Sequence, residues 1–143
     1  DYGCGKGRVD CYLSYQTRCH SIGVEYDPRI YETAAENQKT AVSGGRTEFV
    51  LADAGEFPVP GAVNRAYFFN PFSVELLQKV IRRILDSWYE VPRDIRLFFY
   101  YPSDEYLAYL MTVDELVFAD EIDCRELFDG NDARERIVEF VLE

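Results

Sequence analysis

Short apolar runs alternate along the chain with stretches whose apolar positions recur at helical spacing. Val9, Tyr12 and Leu13, continued by Gln16, mark one face of a predicted helix over 8–17. The run S-I-G-V-E-Y at 21–26 predicts a buried strand, and Pro28 suits the first turn of a helix reaching about position 40. That helix carries Ile30, Tyr31, Ala34 and Ala35 on one face. After the Ser43-Gly44-Gly45 turn, T-E-F-V-L-A at 47–52 predicts a second strand; Pro58 and Pro60 then mark a loop. N-R-A-Y-F-F at 64–69 predicts a third strand running into Asn70-Pro71. The clearest helix covers 74–88, where Leu76, Leu77, Val80, Ile81, Ile84, Leu85 and Trp88 form a core-facing stripe behind Ser73 as N-cap. D-I-R-L-F-F-Y-Y at 94–101 predicts another strand, and Ser103 caps a short helix through 110. Strand patterns at 115–124 and 134–142, with D-G-N-D at 129–132 between them, predict an antiparallel hairpin.

Strands alternating with helices imply an α/β fold: a doubly wound, mostly parallel sheet covered on both faces, closed by that C-terminal hairpin. Such sheets bind ligands at the carboxyl ends of their strands. Asp1, Glu25, Asp53 and Asn70 stand at those predicted ends. A parallel strand should also precede Gly3, so the first strand is largely missing from this chain and its continuation upstream is expected. The 143 residues suit a single domain.

Composition narrows the partners. The formal net charge of −11 disfavours nucleic acid phosphates and anionic membranes. No apolar run is long enough to span a bilayer, and no signal peptide is visible. Cys4, Cys11, Cys19 and Cys124 form no C-x-x-C pair, and His20 is the one histidine, so neither a zinc site nor a disulfide framework is indicated. Free thiols in such a chain suggest the cytosol. Cys4 reads as a small residue tolerated in a tight loop, not as a nucleophile, because no base is near it in the sequence.

The densest chemistry lies in D-Y-G-C-G-K-G-R at the start. Gly3, Gly5 and Gly7 permit a tight turn into a helix and close approach of a ligand to backbone N–H groups. The dinucleotide pattern G-x-G-x-x-G would want its last glycine where Arg8 stands, which counts against a nicotinamide enzyme. With G-V-E-Y-D, L-A-D-A and F-F-N-P-F, the glycine segment makes the chain resemble the class I S-adenosylmethionine-dependent methyltransferases, most of all a group of small members of undefined substrate. The resemblance covers nearly the whole chain and implies one Rossmann-like, N-terminally truncated domain over 1–143. The cofactor it implies is S-adenosylmethionine, with no metal, and the partner a small-molecule or protein methyl acceptor.

It also implies roles. Asp1 would accept from the cofactor ammonium, while Gly3 and Gly5 leave room for its methionine part and offer backbone groups, and Gly7 counts among the cofactor-binding residues. Glu25 would take both ribose hydroxyls, one on each oxygen, and Tyr26 would cover an adenine face. Asp53 and the Ala54 N–H would hold the adenine edge. Asn70, Pro71 and Phe72 would stand at the transferring methyl and the acceptor. Amino-group methyltransferases carry Asp or Asn, two prolines and an aromatic there; Phe72 in place of the second proline and Ser73 in place of the aromatic leave the acceptor atom open. Tyr100 and Tyr101 would line an acceptor pocket or pack at the sheet end. Two other readings stay open: an NAD-type nucleotide-binding domain, and a methyltransferase-like domain without catalysis.

Overall fold

The computed structural model describes residues 1–143. The chain divides into two compact units, Asp1–Phe57 and Pro58–Glu143.

In the first unit, helix α1 (Arg8–Thr17) leads into strand β1 (Ser21–Glu25), helix α2 (Pro28–Thr40) and strand β2 (Thr47–Leu51). β1 and β2 pair in parallel, Ser21 opposite Thr47 through Glu25 opposite Leu51. Ahead of Gly3, Asp1 and Tyr2 run alongside β1. Val24 N–H donates to the Asp1 carbonyl at 2.9 Å, Gly3 N–H donates to the Val24 carbonyl at 2.9 Å, and Tyr2 forms a parallel bridge with Val24. α2 begins as its sequence dictates: Asp27 accepts from the Arg29 N–H and Pro28 occupies the first turn.

α1 departs from its predicted face. Tyr12 is 60% exposed and Leu13 is exposed, while Asp10 and Ser14 are buried. The cause is polar anchoring: Ser14 Oγ lies 2.5 Å from Ser21 Oγ, and Ser43 Oγ donates to the Cys11 carbonyl at 2.7 Å. Hydroxyls thus tie the helix to β1 and to the turn after α2, where the periodicity pointed to apolar packing.

In the second unit, strand β3 (Arg65–Phe68), helix α3 (Val74–Glu90), strand β4 (Arg96–Tyr100), helix α4 (Asp104–Leu110) and strands β5 (Leu116–Asp123) and β6 (Arg136–Leu142) follow in order. The sheet runs β3-β4-β6-β5. β3 and β4 are parallel; β6 is antiparallel to both β4 and β5. The predicted hairpin is present, with a bulge between Phe118 and Asp120. Its connection is longer than the predicted turn, since it includes a 3-10 turn at Arg125–Leu127.

The core of this unit is aromatic. Phe68 stacks on its register partner Phe99 at 4.5 Å, and Phe140 and Tyr106 meet Phe99 edge-on at 6.0 and 6.3 Å. Leu77, Val80, Ile81 and Ile84 of α3 are buried, and Ser73 caps that helix by accepting from the Leu76 N–H.

Asp10 conflicts with its surroundings. It is 2% exposed, and its Oδ2 has no hydrogen-bond partner. Burial pushes its carboxyl up from 3.8 to about 6. Because the folded value lies above the unfolded one, the native state takes up a proton that the unfolded chain does not. Asp10's contribution to stability therefore rises as pH falls from about 6 toward 4. Asp10→Asn is expected to stabilise the protein at pH 7 by about 1 kcal/mol and to flatten that rise. Urea unfolding at pH 4.5 and 7 measures both effects.

Candidate functional site

Gly3, Gly5 and Gly7 all have positive φ, at 70°, 57° and 78°. The last two serve different ends. A Cβ on Gly7 would lie 2.3 Å from Phe49 Cζ, so Gly7 lets the start of α1 rest on the Phe49 ring. A Cβ on Gly5 would meet nothing within 4 Å. Gly7 is therefore a packing residue, and Gly5 is the glycine beside open space.

The open side of the turn is held by Glu25. Its Oε1 accepts from Gly5 N–H at 3.0 Å, and its Oε2 accepts from Tyr26 N–H at 2.8 Å and Asp27 N–H at 3.0 Å. A carboxylate has about four acceptor positions; three are in use, and the remaining one is on Oε1. Bonding of two ribose hydroxyls by both oxygens thus requires Oε2 to release a backbone N–H. Tyr26, next in the chain, is 75% exposed.

β2 ends alongside. Ala52 N–H donates to the Glu25 carbonyl at 3.0 Å, which carries the ladder one residue past the strands. Asp53 closes the following turn, its Oδ1 accepting from Gly55 N–H at 2.8 Å, and Ala54 is buried. The fold thus gathers Asp1, Gly3, Gly5, Glu25 and Tyr26 around one turn, with Asp53 and Ala54 at the neighbouring strand end. Cys4 lies within this turn, yet burial and the nearby charges of Asp10 and Glu25 push its thiol up to about 12, so it is not a thiolate at neutral pH.

Asn70, Pro71 and Phe72 belong to the second unit, at the carboxyl end of β3. Asn70 is exposed with φ 41°. The turn is fastened from α4: the Tyr106 hydroxyl donates to the Phe72 carbonyl and accepts from the Phe72 N–H at 3.2 Å. Tyr106 is 2% exposed. It was not legible as a site residue, because its helical spacing reads as core; its polar tip beside a buried ring is the one available signal. The bond engages one acceptor position of the Phe72 carbonyl, and the Asn70 side chain belongs to an exposed residue.

At the end of β4, Tyr100 donates to Glu135 Oε2 at 2.5 Å and Tyr101 donates to Asp132 Oδ2. Burial raises the Tyr100 hydroxyl pKa, aided by Glu135; for Tyr101 the hydrogen bond to Asp132 is the main cause. Both remain protonated donors at neutral pH, which excludes them as bases in this arrangement.

Gly7→Ala, which drives a methyl into Phe49 at positive φ, is expected to cost about 2–4 kcal/mol in urea unfolding; Gly5→Ala is expected to cost about 1 kcal/mol. Tyr106→Phe is expected to cost about 1–2 kcal/mol and to accelerate hydrogen exchange at the Phe72 amide, because both polar groups of Phe72 lose their partner.

Solved structures share this fold. The magnesium protoporphyrin IX methyltransferase ChlM of Synechocystis PCC 6803, solved with bound S-adenosylmethionine, superposes with a TM-score of 0.69 at 16% identity, covering 100% of this chain and 68% of that one. An rRNA methylase from Streptococcus thermophilus gives 0.65 at 15%, covering 99% and 83%. The cyclase SpnF gives 0.70 at 15%, covering 99% and 72%. At these identities the likeness is one of fold, and the fold is that of the Rossmann-like methyltransferases. No curated protein matches the sequence. The family model described as a methyltransferase domain matches residues 1–94, which hold the glycine turn, Glu25, Asp53 and Asn70. Covering more than half of the chain, that match decides its membership: this protein belongs to the methyltransferase-domain family.

Proposed function

We propose that this protein binds S-adenosylmethionine through its first unit and transfers the methyl group to a small-molecule or protein acceptor. The observation that carries this reading is the open space beside Gly5, bordered by the Glu25 carboxylate. A turn without side chains beside an acceptor-only group suits a ligand that brings hydroxyls and an ammonium.

S-adenosylmethionine supplies, when bound, a methyl on a sulfonium already activated for in-line displacement. The residues then have to bind, orient and exclude water. Asp1 accepts from the ammonium. Glu25 accepts from the ribose, Oε1 with its spare position and Oε2 by releasing the Tyr26 or Asp27 N–H. Tyr26 lies against the adenine, Asp53 accepts from the adenine amino group with the oxygen that Gly55 does not use, and the Ala54 N–H donates to a ring nitrogen. Asn70, with Pro71 and Phe72, orients the acceptor through its carboxamide. No covalent nucleophile is called on, which agrees with the raised Cys4 thiol.

The acidic total charge favours acceptors other than nucleic acid. No helix is long and apolar enough to cross a membrane, and the four cysteines are free thiols. A cytoplasmic location follows as part of the same proposal.

Calorimetric titration with S-adenosylmethionine, S-adenosylhomocysteine and NAD tests the reading. Binding of the first two with no preference for NAD is expected; preference for NAD would replace the methyltransferase by a nucleotide-binding domain. Glu25→Gln is expected to weaken S-adenosylmethionine by about 1–3 kcal/mol. An unchanged affinity would remove Glu25 from the site.

A further inference from the structure

β3 and β4 lie side by side in parallel and end alike. Each delivers an aromatic residue, then a residue in the left-handed region, then a proline: Phe69-Asn70-Pro71 after β3, Tyr100-Tyr101-Pro102 at the end of β4. Asn70 has φ 41° and Tyr101 φ 53°. Ser73 and Ser103 then cap the helices that follow. Two equivalent elbows thus stand next to each other at one rim of the sheet.

Asn tolerates the left-handed region; Tyr does so rarely, and a following proline restricts it further. Glycine would relieve the strain, yet Tyr101 is held by contacts on every side. Its N–H donates to the Arg136 carbonyl at 3.0 Å, and its carbonyl accepts from Arg134 Nη2 at 3.2 Å. Its hydroxyl is bound by Asp132, and the Arg134 guanidinium lies 4.2 Å from its ring centroid. Strain maintained by so many neighbours is a mark of functional positioning.

The clamp sets the ring edge-on to Phe69, with centroids 6.4 Å apart at 89°. Tyr100 meets Phe69 from its own strand end at 4.8 Å and 45°. Phe69 itself is 57% exposed, beside the exposed Asn70. The result is a walled aromatic surface with one carboxamide at its edge. Its charges are the carboxylates of Asp132 and Glu135, each bound to a tyrosine hydroxyl, and Arg134, which is engaged with Tyr101. Two acids against one base, in a chain of net charge −11, select against an anion.

We propose that Phe69, Tyr100 and Tyr101 form a stacking platform for the methyl acceptor, a flat aromatic small molecule that is neutral or cationic, with its polar edge at Asn70. The proposal rests on the reading of the Asn70 turn as the acceptor side. Tyr101 is its specificity-determining residue, since among the three rings its backbone is the one held in the left-handed region.

Ligand-observed NMR with the whole chain tests this, using tryptamine, indoleacetate and cyclohexylethylamine as probes. Tryptamine is expected to bind with contacts to the Phe69 ring, and the other two are expected to bind about fivefold more weakly or not at all. Phe69→Ala and Tyr101→Asn, the latter chosen because Asn accepts positive φ, are expected to weaken tryptamine about fivefold. Tyr101→Phe, which keeps the ring, is expected to retain it. S-adenosylmethionine affinity is expected to stay within about twofold in all three, since these residues lie outside the proposed cofactor site. Equal binding of flat and saturated probes, or tryptamine binding indifferent to Phe69→Ala, would overturn the platform. A chain that binds S-adenosylmethionine but no tryptamine loses the platform alone. One that binds tryptamine at Phe69 but no S-adenosylmethionine loses the methyltransferase reading.

Discussion

The carboxylate of Glu25 joins the two halves of the glycine turn's environment. Through Oε1 it holds the Gly5 N–H, and through Oε2 it closes the backbone that leads from β1 toward α2. Without it, the N–H groups of Gly5, Tyr26 and Asp27 would lose their shared acceptor, and only the Gly3 and Cys4 N–H bonds to the Val24 carbonyl and the Val24 N–H bond to the Asp1 carbonyl would tie the turn to β1. The conformation of the turn depends equally on Phe49, on which Gly7 rests. One side of the turn is thus closed by packing and the other is governed by a single charged group. This asymmetry is what leaves room beside Gly5 while the backbone around it stays fixed.

The same carboxylate faces two demands. Holding three backbone donors uses most of its acceptor capacity, and the proposed ribose contact would call on that capacity again. Exchange of a backbone N–H for a sugar hydroxyl is nearly balanced in hydrogen-bond count. On the proposed reading, binding of both ribose hydroxyls at Glu25 would involve a local rearrangement of the segment after β1, where Tyr26 is already exposed. A group that stabilises the empty turn and also contacts the ligand links the order of that segment to occupancy.

In the second unit the comparable constraint is backbone strain. The Asn70 and Tyr101 elbows are opposed by the preference of residues before proline, and each is restrained from a neighbouring element: Tyr106 of α4 grips Phe72, and the segment before β6 grips Tyr101. The aromatic core formed by Phe68, Phe99, Phe140 and Tyr106 supplies the rigid base on which both elbows stand. Polar bonds at the rim and ring packing beneath it act together. Neither alone would keep two residues at positive φ next to prolines.

Much of this was present in the linear pattern. Alternating runs determined the element order, the parallel pairs and the antiparallel C-terminal hairpin, because burial on a sheet face imposes its own period on the sequence. The glycines, Glu25, Asp53 and the Asn70 turn were readable because few residue types satisfy strand ends and tight turns. The face of α1 was not: Asp10 and Ser14 are buried through hydroxyl contacts with Ser21 and the Ser43 turn, and such long-range polar bonds leave no periodic trace. The division of labour between Gly5 and Gly7 was decided by Phe49, which is distant in sequence and close in space. Tyr106 and the strained Tyr101 belong to the same class. The sequence by itself determined which groups could do the chemistry, since residue type sets donors, acceptors and permitted φ. Only the tertiary structure decided which of those groups were already engaged and which stayed free, because that depends on partners many residues away.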